Sequence, residues 1–266
     1  MFYILLIFSL ILVAMICIPL YKAAEFFVEA DVGSWASMSW IPQIEQFGFG
    51  VSLVGSLVIC LVAMPLVIAG GWSLAYQLVK EKNVHMKNIT LSIMQLWCSL
   101  PSVVLGVWAI SQFVPLMRVL FETSGYGLLT ASVCLALYLT PVAALLFHSS
   151  YQEYRTEFGD LESSLRMSFW DESRIFFLSC KPQIVHVINF SFCRVFGETM
   201  LILMLSGNTP NIPESVLDPV RTMTATFALE APYATDMHEQ ALFGITGLCM
   251  FVLLVVLVIG RQRNEK

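Results

Sequence analysis

Six long apolar segments constrain the fold of this chain more than any other feature of its sequence. A helix needs about 20 consecutive, mostly apolar residues to cross the hydrocarbon core of a bilayer. The segments of suitable length span residues 2–20, 52–78, 91–114, 128–147, 184–206 and 240–260. Charged residues make up only 12% of the 266, about half the usual ~25% of a soluble domain, and the mean hydropathy is +0.77. The sequence therefore predicts an all-α integral membrane protein with six transmembrane helices in one domain, 1–266.

The first apolar segment has two interpretations, a retained helix or a leader that is cleaved. No Lys or Arg precedes the segment, and no convincing cleavage site follows it. The pattern of a secretory leader is therefore incomplete. We expect a retained helix.

Basic residues are distributed unequally between the two sides of the predicted spans. Ten lie in the connections 79–90 and 148–183 and in the C-terminal tail, against three on the opposite side. Because Lys and Arg are retained preferentially on the cytoplasmic side, we expect both termini to be cytoplasmic. The opposite, outer side is acidic in its first loop, which contains Glu25, Glu29, Asp31 and Glu45.

The connection 148–183 carries a helical pattern outside the predicted spans. Its apolar positions recur at steps of three, four and four, which places them on one helix face. These positions are Phe158, Leu161, Leu165 and Phe169. Gly159 is suited to end a preceding helix, and Asp160 is suited to N-cap the next one. Periodicity leaves two interpretations open, a helix that lies against the membrane or its own bundle, or a surface that docks a partner.

The stretch "FGDLESSLRMSFWDESRIFFLSCKP" resembles the coupling segment of ABC-importer permeases, in which a Glu-Ala-Ala motif is followed by a glycine and a Leu-Pro. Glu162-Ser163-Ser164 stands at the Glu-Ala-Ala position, Ser168 replaces the glycine, and Pro182 lies near the closing proline. The resemblance implies short helices that seat in a groove of a cytoplasmic ATPase. The coupling residues that it implies are Asp160, Leu161, Glu162, Leu165, Ser168 and Phe169.

Three further stretches narrow this resemblance. "SLPSVVLGVWAISQFVPL" is similar to the third span of phosphate-specific (Pst) permeases, and "RVFGETMLILMLSGN" and "DPVRTMTATFALE" are similar to their fifth span and following outer segment. The stretches are closer to the PstC type than to the PstA type, and the similarity covers about residues 50–260. It implies the type I ABC importer permease fold, with a cytoplasmic coupling helix and an outer re-entrant or interfacial helix.

Two charged residues, Arg194 and Glu198, lie inside the fifth apolar segment. At 1.5 Å per residue, Arg194 is about 15 Å into the segment and close to the bilayer centre, where a charge costs at least ~2.5–3.5 kcal/mol. As residues i and i+4 of one helix, the two side chains share a face and are able to pair. The pair is either a structural salt bridge or part of a pathway. The Pst resemblance implies the second, since such permeases carry the same Arg and Glu on their presumed translocation path.

The chemistry of these two side chains suits phosphate. A guanidinium presents a planar, permanently charged fork to two phosphate oxygens at once. We hypothesise that Glu198 is a resting counter-ion that reclaims Arg194 after the anion leaves, because passage requires binding that is also weak enough to release. We also hypothesise that the carboxylate accepts the proton of phosphate, which sulfate lacks.

The predicted outer connection 207–239 carries a further candidate, Arg221. Four apolar residues in it have helical spacing, and prolines interrupt the chain around them, which predicts a short interfacial or re-entrant helix. The four residues are Val216, Val220, Met223 and Phe227. Arg221 either receives the anion from an external binding protein, as a third translocation residue, or pairs with Asp218 or Glu230.

Sequence motifs for catalysis, metal binding and ATP hydrolysis are absent. None of the seven cysteines is spaced as CxxC, and the four histidines are scattered, so we expect neither a disulfide framework nor a metal site. No GxxxxGK(S/T) loop occurs, so ATP is expected to be used by a partner, and no cofactor is expected in this chain. The net charge of −5 without a basic run argues against nucleic acid.

The resemblance also implies a set of partners in the lipid membrane. They are a PstA-like sister permease, two ATPase subunits, and a periplasmic or lipid-anchored phosphate-binding protein. Together they would move inorganic phosphate inward by alternating access. Two other interpretations stay open, a permease for another oxyanion (sulfate, molybdate or phosphonate) and a phosphate-sensing membrane subunit with little transport. A membrane enzyme is disfavoured, because Arg194 and Glu198 lack an evident nucleophile.

Overall fold

A computed structural model describes residues 2–29, 35–165 and 168–264, without the side chains of 2–12, 16, 29, 157–165 and 261–264. Helices dominate the described chain. In chain order, the elements are α1 (Phe2–Glu29), β1 (Trp40–Ile41), β2 (Gln46–Phe47), α2 (Gly50–Lys80), α3 (Val84–Cys98), α4 (Ser102–Trp108), α5 (Val114–Phe121), α6 (Leu128–Leu165), α7 (Phe169–Ser179), α8 (Lys181–Phe196), α9 (Met200–Leu205), α10 (Met223–Glu230) and α11 (Asp236–Asn264).

The predicted class, an all-α integral membrane protein, is confirmed. Four helices within the described residues are long and apolar enough to cross a membrane: Gly50–Lys80, Ser102–Phe121, Leu128–Thr156 and Asp236–Gly260. α7 and α8 form a fifth candidate that is bent by 91° between them. α1 is a further apolar helix of 28 residues. Helix is therefore present in each of the six predicted segments, although two of those segments are broken.

The centre of the bundle is the contact between α2 and α6, which pack along much of their length. A Cβ added at Gly71 would lie 2.7 Å from the Cβ of Ala143, so a larger residue has no room there. α2 turns Ala63, Val67 and Ala75 inward, each fully buried. Small residues at a crossing let two helix backbones approach closely, which favours helix association in lipid. α11 packs against α1 and α8 and completes the bundle.

The third predicted segment, 91–114, is not one continuous helix. α3 ends at Cys98 and α4 begins at Ser102, because Pro101 has no N–H to donate and disfavours helical backbone at the residue before it. A π-helical turn, Ala109–Phe113, then joins α4 to α5. The part able to cross the membrane is Ser102–Phe121, so the predicted span is displaced toward the C-terminus.

The fifth predicted segment, 184–206, is also broken. α8 ends at Phe196, and Gly197 is its C-cap residue. Residues 197–199 lie outside both helices before α9 begins at Met200. Glycine is a poor helix former, costing about 1 kcal/mol relative to Ala. The break therefore lies at a residue of low helix propensity.

One end of the bundle collects the β1–β2 hairpin and the loops around residues 121–128 and 205–222, and is named here the hairpin end. Trp40 pairs with Phe47 in the hairpin. Gly127 N donates to Leu205 O at 3.0 Å, and Leu128 N donates to Asp218 O at 2.9 Å. These backbone bonds satisfy groups that otherwise would be stranded near an apolar bundle.

The predicted helical stripe in 207–239 is only partly correct. Val216 and Val220 precede the helix, which begins at Met223. Thr222 caps α10 by accepting from Ala225 N at 3.2 Å, and Ser56 Oγ of α2 accepts from Met223 N at 3.0 Å. The start of α10 is set by these two hydroxyl groups, which periodicity does not detect.

At the opposite end, α6 runs unbroken through Gly159 and Asp160 to Leu165. The predicted helix boundary at these two residues is therefore wrong, since one internal glycine costs about 1 kcal/mol and does not by itself end a helix. The next helix, α7, begins at Phe169 after the N-cap Ser168. Phe169 thus lies on a different helix from the rest of the predicted apolar stripe.

Candidate translocation site

Arg194 lies in the last turn of α8, and its side chain is exposed. Its Nη2 donates to Tyr138 Oη of α6 across 3.5 Å. Tyr138 is 4% exposed, and its hydroxyl donates in turn to the carbonyl oxygen of Leu100 at 3.3 Å. One buried phenol therefore joins Arg194 to the break between α3 and α4.

Glu198 does not pair with Arg194 in this structure, so the predicted ion pair is corrected. Glu198 is 6% exposed and lies in the break after α8. Its N–H donates to Val195 O at 3.3 Å, and its carbonyl oxygen accepts from Thr224 Oγ1 at 3.2 Å. Residues i and i+4 share a face only along a continuous helix, and Gly197 ends the helix between them.

The positive charge of Arg194 is not balanced by a nearby carboxylate in the described part of the chain. Among the residues that the structure describes, no carboxylate lies within ion-pair distance of it. A guanidinium has five N–H donors, and a single long bond to a tyrosine leaves most of them unused. A charge at this depth in a membrane protein must face a water-filled path or a partner. The arrangement is suited to receive an anion.

Arg221 lies at the hairpin end, just before α10, and is paired. Its Nη1 lies 2.7 Å from Glu230 Oε1, and its Nε donates to Asn208 O at 2.8 Å. The predicted pairing with Glu230 is present, and the role of Arg221 in receiving the anion stays a prediction. Asp218 instead accepts from the backbone N–H groups of Glu214 and Ser215.

The opposite end holds the predicted coupling residues. The backbone of Asp160, Leu161, Glu162 and Leu165 lies in α6, while their side chains lie outside the described residues. Ser168 Oγ accepts from Asp171 N at 3.3 Å and lies 2.6 Å from Asp171 Oδ2. The serine that replaces the expected glycine is thus an N-cap. Phe169 packs edge-on against Tyr76 with ring centroids 4.7 Å apart.

A buried polar and aromatic cluster attaches α7 to the bundle. Glu172 is 4% exposed, accepts from Lys80 Nζ at 2.9 Å, and lies 3.4 Å from Tyr151 Oη. Trp72 stacks on Phe176 with centroids 4.6 Å apart. Removing Lys80, whose side chain is 36% exposed, would leave the buried Glu172 without this cation. These contacts attach the segment that resembles a coupling helix to α2 and α6.

Three structural features were missed by reasoning from the sequence. Tyr138 was not singled out, because an isolated tyrosine in an apolar span has no periodic signal. Glu172 lies among ten charged residues of one connection, and nothing marked it as the buried one. His238 contacts Glu230 across 2.8 Å, a partnership between residues that no sequence motif links.

Metal-binding clusters were also searched for in the geometry. Within the described part of the chain, no group of three or more His, Cys, Asp or Glu side chains is placed to hold a metal ion. The seven cysteines are free thiols.

The fold defines a class of protein. The chain superposes on a chain of the MetNI methionine ABC transporter, solved in inward-facing conformations, with a TM-score of 0.63 and 15% identity. The match covers 85% of this chain and 98% of that one. The chain therefore has the fold of an ABC transporter permease.

Sequence comparison narrows this class. The chain is 23% identical over 269 residues to the phosphate transport system permease protein PstC of Pasteurella multocida, covering 88% of this chain and 84% of that protein. It is 24% identical to PstC of Haemophilus influenzae, covering 91% and 87%. No family model matches the chain. The predicted resemblance to PstC-type permeases is confirmed along most of the sequence.

Proposed function

We propose that this chain is the channel-forming subunit of an ATP-driven importer of inorganic phosphate. The observation that carries the proposal is Arg194, a permanently charged side chain in an apolar span with no carboxylate at ion-pair distance among the described residues. A guanidinium that faces a polar path suits two oxygens of a phosphate group. The PstC relatives supply the substrate class, since their names describe phosphate transport.

Glu198 is proposed to act from the helix break. Residues 197–199 belong to neither α8 nor α9, so a change there moves the carboxylate relative to Arg194 without unfolding either helix. In a state where the two meet, Glu198 replaces the departing anion, which keeps phosphate from being trapped. A carboxylate beside the bound anion also accepts the proton that phosphate carries, which sulfate does not offer.

The proposed assembly places the hairpin end outward and both termini in the cytoplasm of a bacterial inner membrane. A sister permease of PstA type completes the path, and access alternates between the two sides. Two ATPase subunits hydrolyse ATP against the coupling segment around Ser168 and Phe169, so this chain is not itself an enzyme and holds no cofactor. A periplasmic or lipid-anchored protein delivers phosphate to the hairpin end, where Arg221 lies.

The test is radiolabelled phosphate uptake in phosphate-starved cells that lack this chain but contain its partner subunits. Wild type and Arg194→Ala are compared at equal membrane abundance. Loss of a charge-assisted bond to the anion is worth ~1.5–3 kcal/mol, so we expect uptake to fall about 10- to 100-fold. The matched control is Arg118→Ala, because Arg118 is also exposed and donates to a neutral acceptor, Ser124 O.

The outcomes separate the open interpretations. Equal uptake by wild type and Arg194→Ala would show that Arg194 is structural. No uptake by wild type would reject phosphate transport and favour the sensor, unless uptake of sulfate, molybdate or phosphonate appears instead. The role of Glu198 is abandoned if Glu198→Gln leaves both the rate and the preference for phosphate over sulfate unchanged.

A further inference from the structure

At the hairpin end, one carboxylate receives three different donors. Arg221 Nη1 lies 2.7 Å from Glu230 Oε1, and His238 Nε2 lies 2.8 Å from Oε2. Trp40 Nε1 donates to both oxygens, at 3.0 and 2.9 Å. Because an ionised carboxylate only accepts, the imidazole nitrogen that faces it carries a proton. Guanidinium, imidazole and indole groups from three separate segments thus converge on one small anionic group.

The three donors are held in place without the help of Glu230. Arg221 Nε is fixed by Asn208 O at 2.8 Å. That carbonyl belongs to a tight turn in which Gly207 and Asn208 have φ of 76° and 52°. Asn208 locks the turn with its own amide, which donates to Leu203 O at 2.6 Å. Glycine and asparagine are the residues that adopt this left-handed backbone most readily.

Aromatic packing fixes the other two donors. His238 stacks on Phe47 with ring centroids 5.7 Å apart and an interplanar angle of 19°. Trp40 is 7% exposed and lies edge-on to the same Phe47 at 5.6 Å. Removing the Glu230 carboxylate would therefore leave a preformed set of N–H donors, which is the property of a binding site rather than of a simple salt bridge.

Glu230 accepts from all three donors, but its charge lies at an unfavourable position of its own helix. It is the last residue of α10, and the C-terminal end of a helix repels a negative charge. A cavity of about 610 Å³ borders the group and is lined by Trp40, Pro42, Gln43, Pro210, Arg221, Glu230 and His238. This space accommodates both a small tetrahedral anion and a displaced glutamate side chain.

We propose that Arg221, His238 and Trp40 form an oxyanion site at the hairpin end, and that Glu230 occupies it until an inorganic phosphate displaces the carboxylate. The choice of phosphate rests on the proposed function. The site is separate from Arg194 and offers the anion a first binding position before the bundle. Its own carboxylate keeps it closed to weaker ligands, because an incoming anion must outcompete Glu230.

The experiment measures binding of radiolabelled inorganic phosphate to membranes that contain the full assembly, in an Arg194→Ala background that weakens the central site. Glu230→Gln removes the competing charge but keeps the side-chain shape. We expect its dissociation constant for phosphate to be at least about tenfold lower than that of the parent. Adding Arg221→Gln is expected to abolish the gain. Glu214→Gln, at the same end of the bundle, is the matched control and is expected to change nothing.

Unchanged phosphate binding in Glu230→Gln would overturn the proposal. It would mean that the contacts of Glu230 only stabilise the fold. Should Glu230→Gln fail to assemble, Glu230→Asp retains the charge but withdraws it by one methylene, and it is also expected to bind phosphate more tightly. No gain in that variant overturns the proposal as well. Wild-type uptake is measured in parallel, so uptake with no binding gain rejects this site alone, whereas absent uptake rejects the proposed function.

Discussion

Arg194 and Arg221 have the same side chain and contrasting surroundings. Arg221 is 17% exposed and is bound by a carboxylate at 2.7 Å and a carbonyl at 2.8 Å. Arg194 is exposed, and its hydrogen bond to Tyr138 spans 3.5 Å. In this structure Glu230 compensates the charge of Arg221, while no carboxylate among the described residues compensates the charge of Arg194. The partners of an arginine in a membrane protein therefore indicate its role better than its position along the span does.

The difference arises from the backbone around each residue. The acceptors of Arg221 come from a glycine-containing turn and from the end of α10, both placed by local hydrogen bonds. The carboxylate nearest in sequence to Arg194 is Glu198, and Gly197 ends the helix before that carboxylate reaches the same face. A single helix break thus keeps Glu198 from pairing with Arg194, which has no carboxylate at ion-pair distance among the described residues.

The largest expected contrast is between Arg194→Lys and Arg221→Lys in phosphate uptake. Lysine keeps the charge but not the planar fork, so an arginine that binds phosphate with two donors should not tolerate the change. We expect uptake to fall about tenfold or more for Arg194→Lys. For Arg221→Lys we expect less than about a threefold loss, because an ammonium still pairs with Glu230. Similar losses of uptake in both variants would contradict the contrast between a phosphate-binding Arg194 and an Arg221 paired with Glu230.

The effects on the free energy of unfolding should be in the reverse order, with a larger loss for a change at Arg221 than for one at Arg194. Arg221→Ala leaves Glu230, which is 18% exposed, without its guanidinium partner, and we expect a loss of about 2 kcal/mol in the free energy of unfolding. Arg194→Ala removes an exposed side chain, and we expect a change within about 0.5 kcal/mol. Denaturant titration of the assembly in detergent micelles measures both values. A larger loss for Arg194→Ala would mean that this arginine is the structural one.

Tyr138→Phe tests whether the hydroxyl of Tyr138 positions Arg194. The change removes the bonds to Arg194 and to Leu100 O but keeps the ring. The bond to Leu100 O is neutral and worth about 0.5–1.5 kcal/mol, and the bond from the Arg194 guanidinium is charge-assisted but weakened by its length of 3.5 Å, so we expect uptake to fall about two- to tenfold, chiefly through a higher KM. Tyr233→Phe is the control, because Tyr233 is 82% exposed. A fall in protein abundance without a change in KM would show that Tyr138 only stabilises the fold.

Apolar length and composition were enough to predict an all-helical membrane protein, because burying a backbone in lipid leaves few alternatives to a helix. The positions of the helix breaks were harder to predict. Leu100-Pro101 and Gly197 were visible in the sequence, yet whether such residues bend or end a helix depends on packing around them. Gly159, by contrast, does not end its helix, since α6 continues through it to Leu165.

The candidate residues were chosen from the sequence and their role in translocation stays a prediction, whereas their geometry was not predicted. Arg194, Glu198 and Arg221 were found because charges in or beside apolar spans are costly and therefore conspicuous. Their partners were not found, apart from Glu230 for Arg221. Trp40 and His238 meet Glu230 across 190 and 8 residues of chain. Such contacts depend on how loops fold over the end of the bundle, for which spacing along the chain carries no information.

The smallest expected effect concerns Arg194 and Glu198 together. In this structure the two side chains form no ion pair, so in a double-mutant cycle with Arg194→Ala and Glu198→Ala the effects on unfolding free energy should add within about 0.5 kcal/mol. The same cycle measured on uptake should be strongly non-additive, because the proposed mechanism requires the two groups to meet during transport. Coupling in stability would mean that the resting protein already contains the ion pair. Additivity in both measurements would instead show that Glu198 acts independently of Arg194, and the helix break would then have no role in releasing the anion.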